Sequence, residues 1–322
     1  MEEKAVIKTE ALTKYYGSSR GIENLTLEVR EGEIFGLLGP NGAGKTTTIR
    51  ILLDFIRRTS GEAEVFGLDV KQHSTEIRRR TAYLPGELGF YENKTARRNL
   101  EFLLKMYKKP VPYRRIEELA ERVELSLDRK VKELSKGNKQ KIGIVLTFAP
   151  ETDLLVVDEP TSGLDPFITK EYYNILHEQQ EERGTTVLLS SHLLGEVEAV
   201  AHRVGIIREG TIVELDSIQN LKKFALKNFM IEFNTDLEVQ QFISKIPPKI
   251  VDNLRTDGMN VTFMISRDNL TELIRILSQA GNIHDLEIES PDLEDIFMKY
   301  YETGQSGAGS LKTNKIQKEE VI

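Results

Sequence analysis

Gly39-Pro40-Asn41-Gly42-Ala43-Gly44-Lys45-Thr46 follows an apolar run over residues 33–38 and precedes apolar residues at Ile49, Leu52, Leu53 and Ile56. The first run reads as a buried strand, and the spacing of the second set predicts a helix over residues 45–56. A strand, a glycine-rich loop and a helix in that order match the pattern G-x-x-x-x-G-K-[ST] in its proper setting. Glycines let backbone N–H groups turn inward around a phosphate, and the helix N-terminus adds positive partial charge. Lys45 can bridge β- and γ-phosphates, while the Thr46 hydroxyl can ligate Mg²⁺. Residues Gly39, Pro40, Asn41, Gly42, Ala43, Gly44, Lys45, Thr46 and the following Thr47 are the candidate nucleotide-binding set.

Residues 4–38 read as short strands, and residues 22–29 alternate apolar and polar side chains. No strand is expected over residues 95–148. Leu100, Leu103, Leu104 and Tyr107 form one helical stripe, and Ile116, Leu119, Ala120 and Val123 form another, starting at Pro112. Residues 153–158 and 185–190 read as buried parallel strands beside helical stretches at 167–182 and 193–201, which is βαβ organisation. Residues 204–213, with Glu209-Gly210 in the middle, predict a closing hairpin.

The pattern resets near residue 226. Phe229, Ile231 and Phe233 alternate, as do Val261, Phe263 and Ile265, and a helical stripe follows at Leu270, Leu273, Ile274 and Leu277. Strand, helix, two strands, helix and strand predict a small α+β domain over residues 226–302. That segment holds no phosphate loop, which points to control rather than chemistry. Residues 303–322 are rich in Gly, Ser and Lys and are expected to form a flexible tail.

Composition narrows the chemistry. The 322 residues include no cysteine, which excludes disulfides, thiolate zinc sites and cysteine nucleophiles. No stretch approaches the ~20 apolar residues of a membrane span. The start, Met1-Glu2-Glu3-Lys4, lacks the basic and apolar regions of a signal peptide, so a cytoplasmic location is expected. The chain has a net charge of −7, yet residues 76–141 hold 18 Lys and Arg against 10 Asp and Glu. That basic window predicts one face adapted to something negative, against the plainer reading of solvated helix faces.

Two further positions carry chemistry. Asp158-Glu159 ends an apolar strand, which places Asp158 to hold Mg²⁺ and Glu159 to polarise an attacking water. His192 follows another apolar strand, at the sheet edge where open α/β folds bind ligands.

The phosphate loop, Leu134-Ser135-Lys136-Gly137-Asn138, the run ending in Asp158-Glu159, Ser162-Gly163-Leu164-Asp165 and His192 resemble, in order and spacing, the ATP-binding subunits of ABC transporters. Tyr83-Leu84-Pro85-Gly86-Glu87-Leu88-Gly89-Phe90-Tyr91-Glu92-Asn93 is similar to the drug- and antibiotic-exporting branch. Pro291-Asp292-Leu293-Glu294-Asp295-Ile296-Phe297 resembles the accessory domain that ends many such subunits. The resemblance implies an α/β P-loop ABC ATPase domain over residues 1–220. That domain would combine a mixed-sheet core, an antiparallel β subdomain and a helical subdomain at about 88–148, with the small α+β domain following.

The resemblance also implies roles. Tyr16 would stack on adenine. Ser135 and the Gly137 amide would cap the γ-phosphate from the opposite protomer, Asp165 would lie at the dimer interface, and His192 would sense the γ-phosphate. Lys45, Glu159 and His192 form the implied catalytic set, and Thr46 and Asp158 the metal ligands, with ATP and Mg²⁺ as cofactors. The implied partners are a second ATPase subunit, in a homodimer, and a separate transmembrane permease that brings the chain to the inner face of the membrane; nucleic acid is not among them. The alternatives are a non-transport ABC ATPase acting on ribosomes or nucleic acid, and a module that holds ATP without turnover. One departure is sharp: the family places glutamine where this chain has Gly86, and Glu87 or a water would have to complete the metal shell.

Overall fold

A computed structural model describes residues 4–107, 109–224, 227–266, 269–278 and 283–289. The chain divides into two compact units, Met1–Asn220 and Leu221–Ile322. The expected tail at 303–322 and the run at 291–297 lie outside the described residues.

The first unit opens with β1 (Ala5–Tyr16) and β2 (Ser19–Arg30), each 12 residues long rather than the short strands expected. Their register shifts several times, so bulges let long strands bend around the core where the sequence suggests breaks. With β4 (Ser60–Val65) and β5 (Leu68–Asp69) they form an antiparallel sheet in the order β2-β1-β4-β5. Its apolar face carries Ile7, Leu12, Ile22, Leu25, Leu27 and Val29, all buried. Each such side chain contributes about 1.5–3 kcal/mol by leaving water.

The central sheet runs β10-β9-β3-β8-β7-β6. Its members are β3 (Ile34–Leu38), β6 (Thr81–Leu84), β7 (Leu154–Asp158), β8 (Thr186–Ser191), β9 (Arg203–Arg208) and β10 (Thr211–Ser217). All pairings are parallel except the β9–β10 hairpin. Every residue of β3, β7 and β8 is buried, which is why these strands read as unbroken apolar runs. A parallel sheet points all its carboxyl ends one way, so the loops after β3, β7 and β8 meet on one edge.

The helices alternate with these strands along the chain. α1 (Lys45–Leu52) stops short of the expected Ile56, because Asp54 takes a left-handed backbone angle that ends the run. Next come α2 (Ser74–Arg79), α3 (Ala96–Leu104) and α4 (Tyr113–Arg122). Pro112 is the N-cap of α4, one step before the first turn expected for it. A short 3₁₀ turn at Val131–Glu133 leads into α5 (Lys136–Phe148), followed by α6 (Pro166–Arg183), α7 (Leu194–Val200) and α8 (Ile218–Phe224).

In the second unit β11 (Lys227–Phe233), α9 (Asp236–Lys245), β12 (Val251–Asp257), β13 (Asn260–Ile265), α10 (Leu270–Leu277) and β14 (Ile283–Glu289) follow the expected order. The sheet is antiparallel, in the order β12-β13-β11-β14. Phe229, Ile231, Phe233, Phe242, Val261, Phe263 and Leu273 form its core. Ile274 is 60% exposed, against expectation. The buried stripe of α10 runs through Leu270, Leu273, Ile276 and Leu277 instead, which leaves Ile274 on the outer side.

Candidate active site

The phosphate loop emerges from the end of β3. Gly44 has φ 110°, and a Cβ there would lie 2.6 Å from Ile22 Cγ2 and 2.9 Å from Gly21 O, so only glycine fits. The turn seats Lys45 at the head of α1, where its ammonium is 5% exposed. Lys45 Nζ donates to Gly39 O at 2.7 Å and to Pro40 O at 3.2 Å, and pairs with Glu159 Oε1 at 3.1 Å. A nearly dry cation facing only oxygen acceptors is what a phosphate ester requires.

Asp158 and Glu159 come from the end of β7. Asp158 is buried, with Oδ2 accepting from Thr46 Oγ1 at 2.8 Å and Oδ1 accepting from Ser190 Oγ. The paired oxygen donors Thr46 and Asp158, with no nitrogen or sulfur between them, fit a hard cation such as Mg²⁺. Asp158 also adds to a burial effect that pushes the Tyr83 hydroxyl up to about 12.

Glu159 adopts φ 50°, a left-handed angle that costs a non-glycine residue about 1–2 kcal/mol. Its amide donates to Ser190 O at 3.0 Å, and the turn directs the side chain back over the loop. There Oε2 lies 2.5 Å from His192 Nδ1 while Oε1 meets Lys45.

The structure therefore brings Lys45, Thr46, Asp158, Glu159 and His192 together. The remaining site candidates are placed differently. Thr47 is half-buried on α1, and the Tyr16 ring is 48% exposed with Lys14 Nζ 5.1 Å from its centroid. Asp165 caps α6 by accepting from the Phe167 and Ile168 amides at 3.1 and 3.0 Å. Ser135 caps α5, accepting from the Asn138 amide at 3.3 Å. Gly137 faces Gly163, and a Cβ there would stand 2.3 Å from Gly163 O. Lys136 Nζ donates to Ser162 Oγ at 3.0 Å, and Gln140 Nε2 donates to Pro160 O at 2.8 Å. The loop after Glu159 is thus fastened to the start of α5.

Two expectations are refined. Gly86 is the residue beside Asp158: a Cβ there would lie 3.4 Å from Asp158 O and 4.0 Å from Asp158 Oδ2. Its backbone is outside the left-handed region, so the position does not demand glycine, whereas Glu87 is exposed. Gly86→Gln is expected to keep turnover within about twofold, since the contact is an ordinary van der Waals one, and Glu87→Ala to change nothing measurable. A steady-state ATPase assay of the two variants checks this; a large loss with Glu87→Ala would restore it to the metal shell.

Part of the basic window is paired with carboxylates inside and outside it. Arg97 pairs with Asp128 at 2.8 Å, Arg122 with Glu171 and Glu178 at 2.5 and 2.6 Å, and Lys139 with Glu92 at 3.0 Å.

Ser190, Gln140 and Glu196 escaped sequence reasoning. For Ser190 a signal existed, a hydroxyl at the carboxyl end of an apolar strand. Gln140 and Glu196 lie in helices, and only the packing reveals their partners.

Fold and site together define a P-loop ATPase whose phosphate loop, Thr46–Asp158 pair and Glu159 share one sheet edge. Residues 22–162 match the ABC transporter family. The chain is 35% identical over 319 residues to the bacitracin transport ATP-binding protein BcrA of Bacillus licheniformis, covering 94% of this chain and 99% of that one. It is 38% identical to the protein of the same name from Enterococcus faecalis, covering 91% and 96%. A solved structure titled "Structure of ATP binding subunit of ABC transporter" aligns with a TM-score of 0.62 and 28% identity, over 68% of this chain and 92% of that one. This chain belongs to the ATP-binding proteins of ABC transporters. It is an ATPase that uses ATP and Mg²⁺, of a family whose subunits dimerise and work with membrane permease components. Among the described residues no helix is long and apolar enough to cross a membrane.

Proposed function

We propose that this chain powers the export of a bacitracin-like peptide antibiotic through a separate permease chain, as a homodimer at the inner face of the membrane. The observation that carries this reading is the extent of the match. The two bacitracin transport relatives align over 94% and 91% of this chain, beyond residue 220, whereas the ATP-binding subunit of known structure aligns over 68%. No feature of the site favours ribosomes or nucleic acid.

In the proposed reaction two chains meet head to tail. Ser135 and Gly137, whose neighbours are Asn138 and Gly163, serve the γ-phosphate held by the second chain, and Asp165 lies at the seam. Tyr16 offers its exposed ring to adenine. Lys45 binds the β- and γ-phosphates. Thr46 and Asp158 hold Mg²⁺, which when bound offsets charge on the phosphates. Glu159 accepts a proton from the water whose oxygen attacks phosphorus in line. The bond from phosphorus to the bridging oxygen breaks, and ADP leaves with that electron pair. His192, hydrogen-bonded to Glu159, orients the acid and contacts the γ-phosphate. ATP binds the closed dimer better than the open one, and that difference drives the permease.

For the permease, the first unit offers an apolar cleft of about 500 Å³ lined by Leu53, Phe55, Tyr83, Leu103, Met106 and Leu146. A short amphipathic helix of the permease would lay its apolar face there. The test is a bacitracin growth-inhibition assay in a strain lacking its own exporter. Co-expression of this chain with its permease should raise the inhibitory concentration several-fold, and Glu159→Gln should abolish the gain. Unchanged sensitivity with both proteins present would reject the antibiotic assignment.

A further inference from the structure

Glu196, on the first turn of α7, is 3% exposed, the most thoroughly enclosed glutamate among the described residues. Its Oε2 accepts from Ser191 Oγ at 2.5 Å, and that hydroxyl in turn accepts from the Leu193 amide at 3.0 Å. Residues 191 and 193 flank His192. On another side the Thr161 hydroxyl stabilises the ionised carboxylate from the loop that begins at Glu159. Helix α6 presents Tyr172 and Tyr173, whose hydroxyls both feel its charge. Tyr172 Oη and Glu196 Oε1 are buried without a hydrogen-bond partner among the described residues. Burial pushes the carboxyl up to about 7; Ser191 and Thr161 oppose the shift and Glu159 adds to it, and none of these groups is a cation. On α7 itself Glu198 is the other acid.

A buried carboxyl with an orphaned oxygen and no cation is costly, so folding gives no reason for it. We infer that Glu196 is a positioning residue for hydrolysis, tying the His192 segment to the Glu159 loop so that the two side chains hold their 2.5 Å contact. Gln140 and Lys136 fasten the same loop from the α5 side, at Pro160 and Ser162. Glu196 is its anchor on the α7 side. The ionised carboxylate accepts from Ser191 Oγ and is stabilised by the Thr161 hydroxyl, whereas the protonated form must give one oxygen over to its own proton. The clamp is therefore complete above the carboxyl's pKa and loosens as pH falls through about 7.

This inference rests on the reading of Glu159 and His192 above, so Glu159→Gln is assayed in parallel. The experiment is steady-state ATP hydrolysis by the full-length chain from about pH 6 to 9. Glu196→Gln, which keeps shape but cannot ionise, should lower kcat about tenfold at the alkaline end with KM for ATP within about twofold. The ratio of wild-type to Glu196→Gln kcat should rise with pH through about 7; titration of ATP itself is common to both and cancels. Thr161→Val should cost turnover in the wild-type background and little in Glu196→Gln, because both remove one clamp. A ratio flat with pH, kcat and KM moving together, or additive costs of the two substitutions would each overturn the inference. If Glu159→Gln kept its turnover, the underlying reading would fail. If Glu159→Gln were inactive while Glu196→Gln matched wild type, only the clamp would be lost.

Discussion

Replacing Glu159 by Gln should lower ATP turnover by about 100-fold or more while MgATP still binds, because a positioned base contributes that much to proton transfer. The substitution preserves shape. Its amide oxygen can still face Lys45 Nζ, now 3.1 Å from Oε1, and its amide can still meet His192. What it cannot do is take the proton of the attacking water. The left-handed backbone at Glu159 also stays, since glutamine has the same steric demands. Loss of turnover with nucleotide affinity kept is therefore a signature of chemistry, not of folding. Single-turnover hydrolysis alongside a nucleotide-binding titration reads both quantities; a variant that hydrolyses ATP within a few-fold of wild type would remove Glu159 from the reaction.

Lys45→Ala should show the complementary pattern, weakening ATP binding by about 10- to 100-fold, the scale of a lost charge-assisted hydrogen bond. Two effects add. The phosphates lose a nearly dry ammonium, and Glu159 loses the cation that balances its carboxylate. The Gly39 and Pro40 carbonyls, which accept from Nζ at 2.7 and 3.2 Å, are left facing the phosphate oxygens, which repels the ligand further. Fluorescent-nucleotide titration measures the change. Equal affinity in the wild type and the variant would count against the placement of Lys45 on the phosphates.

How much of this was legible beforehand depends on how far apart in the chain the partners lie. The phosphate loop is read from one octapeptide because its chemistry is local: strand end, glycine turn, helix start. Asp158, Glu159 and His192 were legible because each follows an unbroken apolar strand, and a parallel sheet collects such ends on one edge. The Asp158–Ser190 and Glu196–Ser191 bonds were not, since strand neighbours and a helix turn bring those groups together, not a motif. The same holds at Gly86, where the missing side chain turns attention to Glu87, while the space beside Asp158 belongs to residue 86 itself. In α10 apolar residues occupy more than one face, so the choice of Ile276 over Ile274 fell to the sheet it packs against.

In the proposed mechanism each ATP is hydrolysed at a site built by two copies of this chain. Light scattering on the purified Glu159→Gln protein, with and without MgATP, tests it most directly. The expected result is a monomer alone and a dimer retaining two ATP molecules when MgATP is present. A monomer that holds ATP at saturating nucleotide would contradict it.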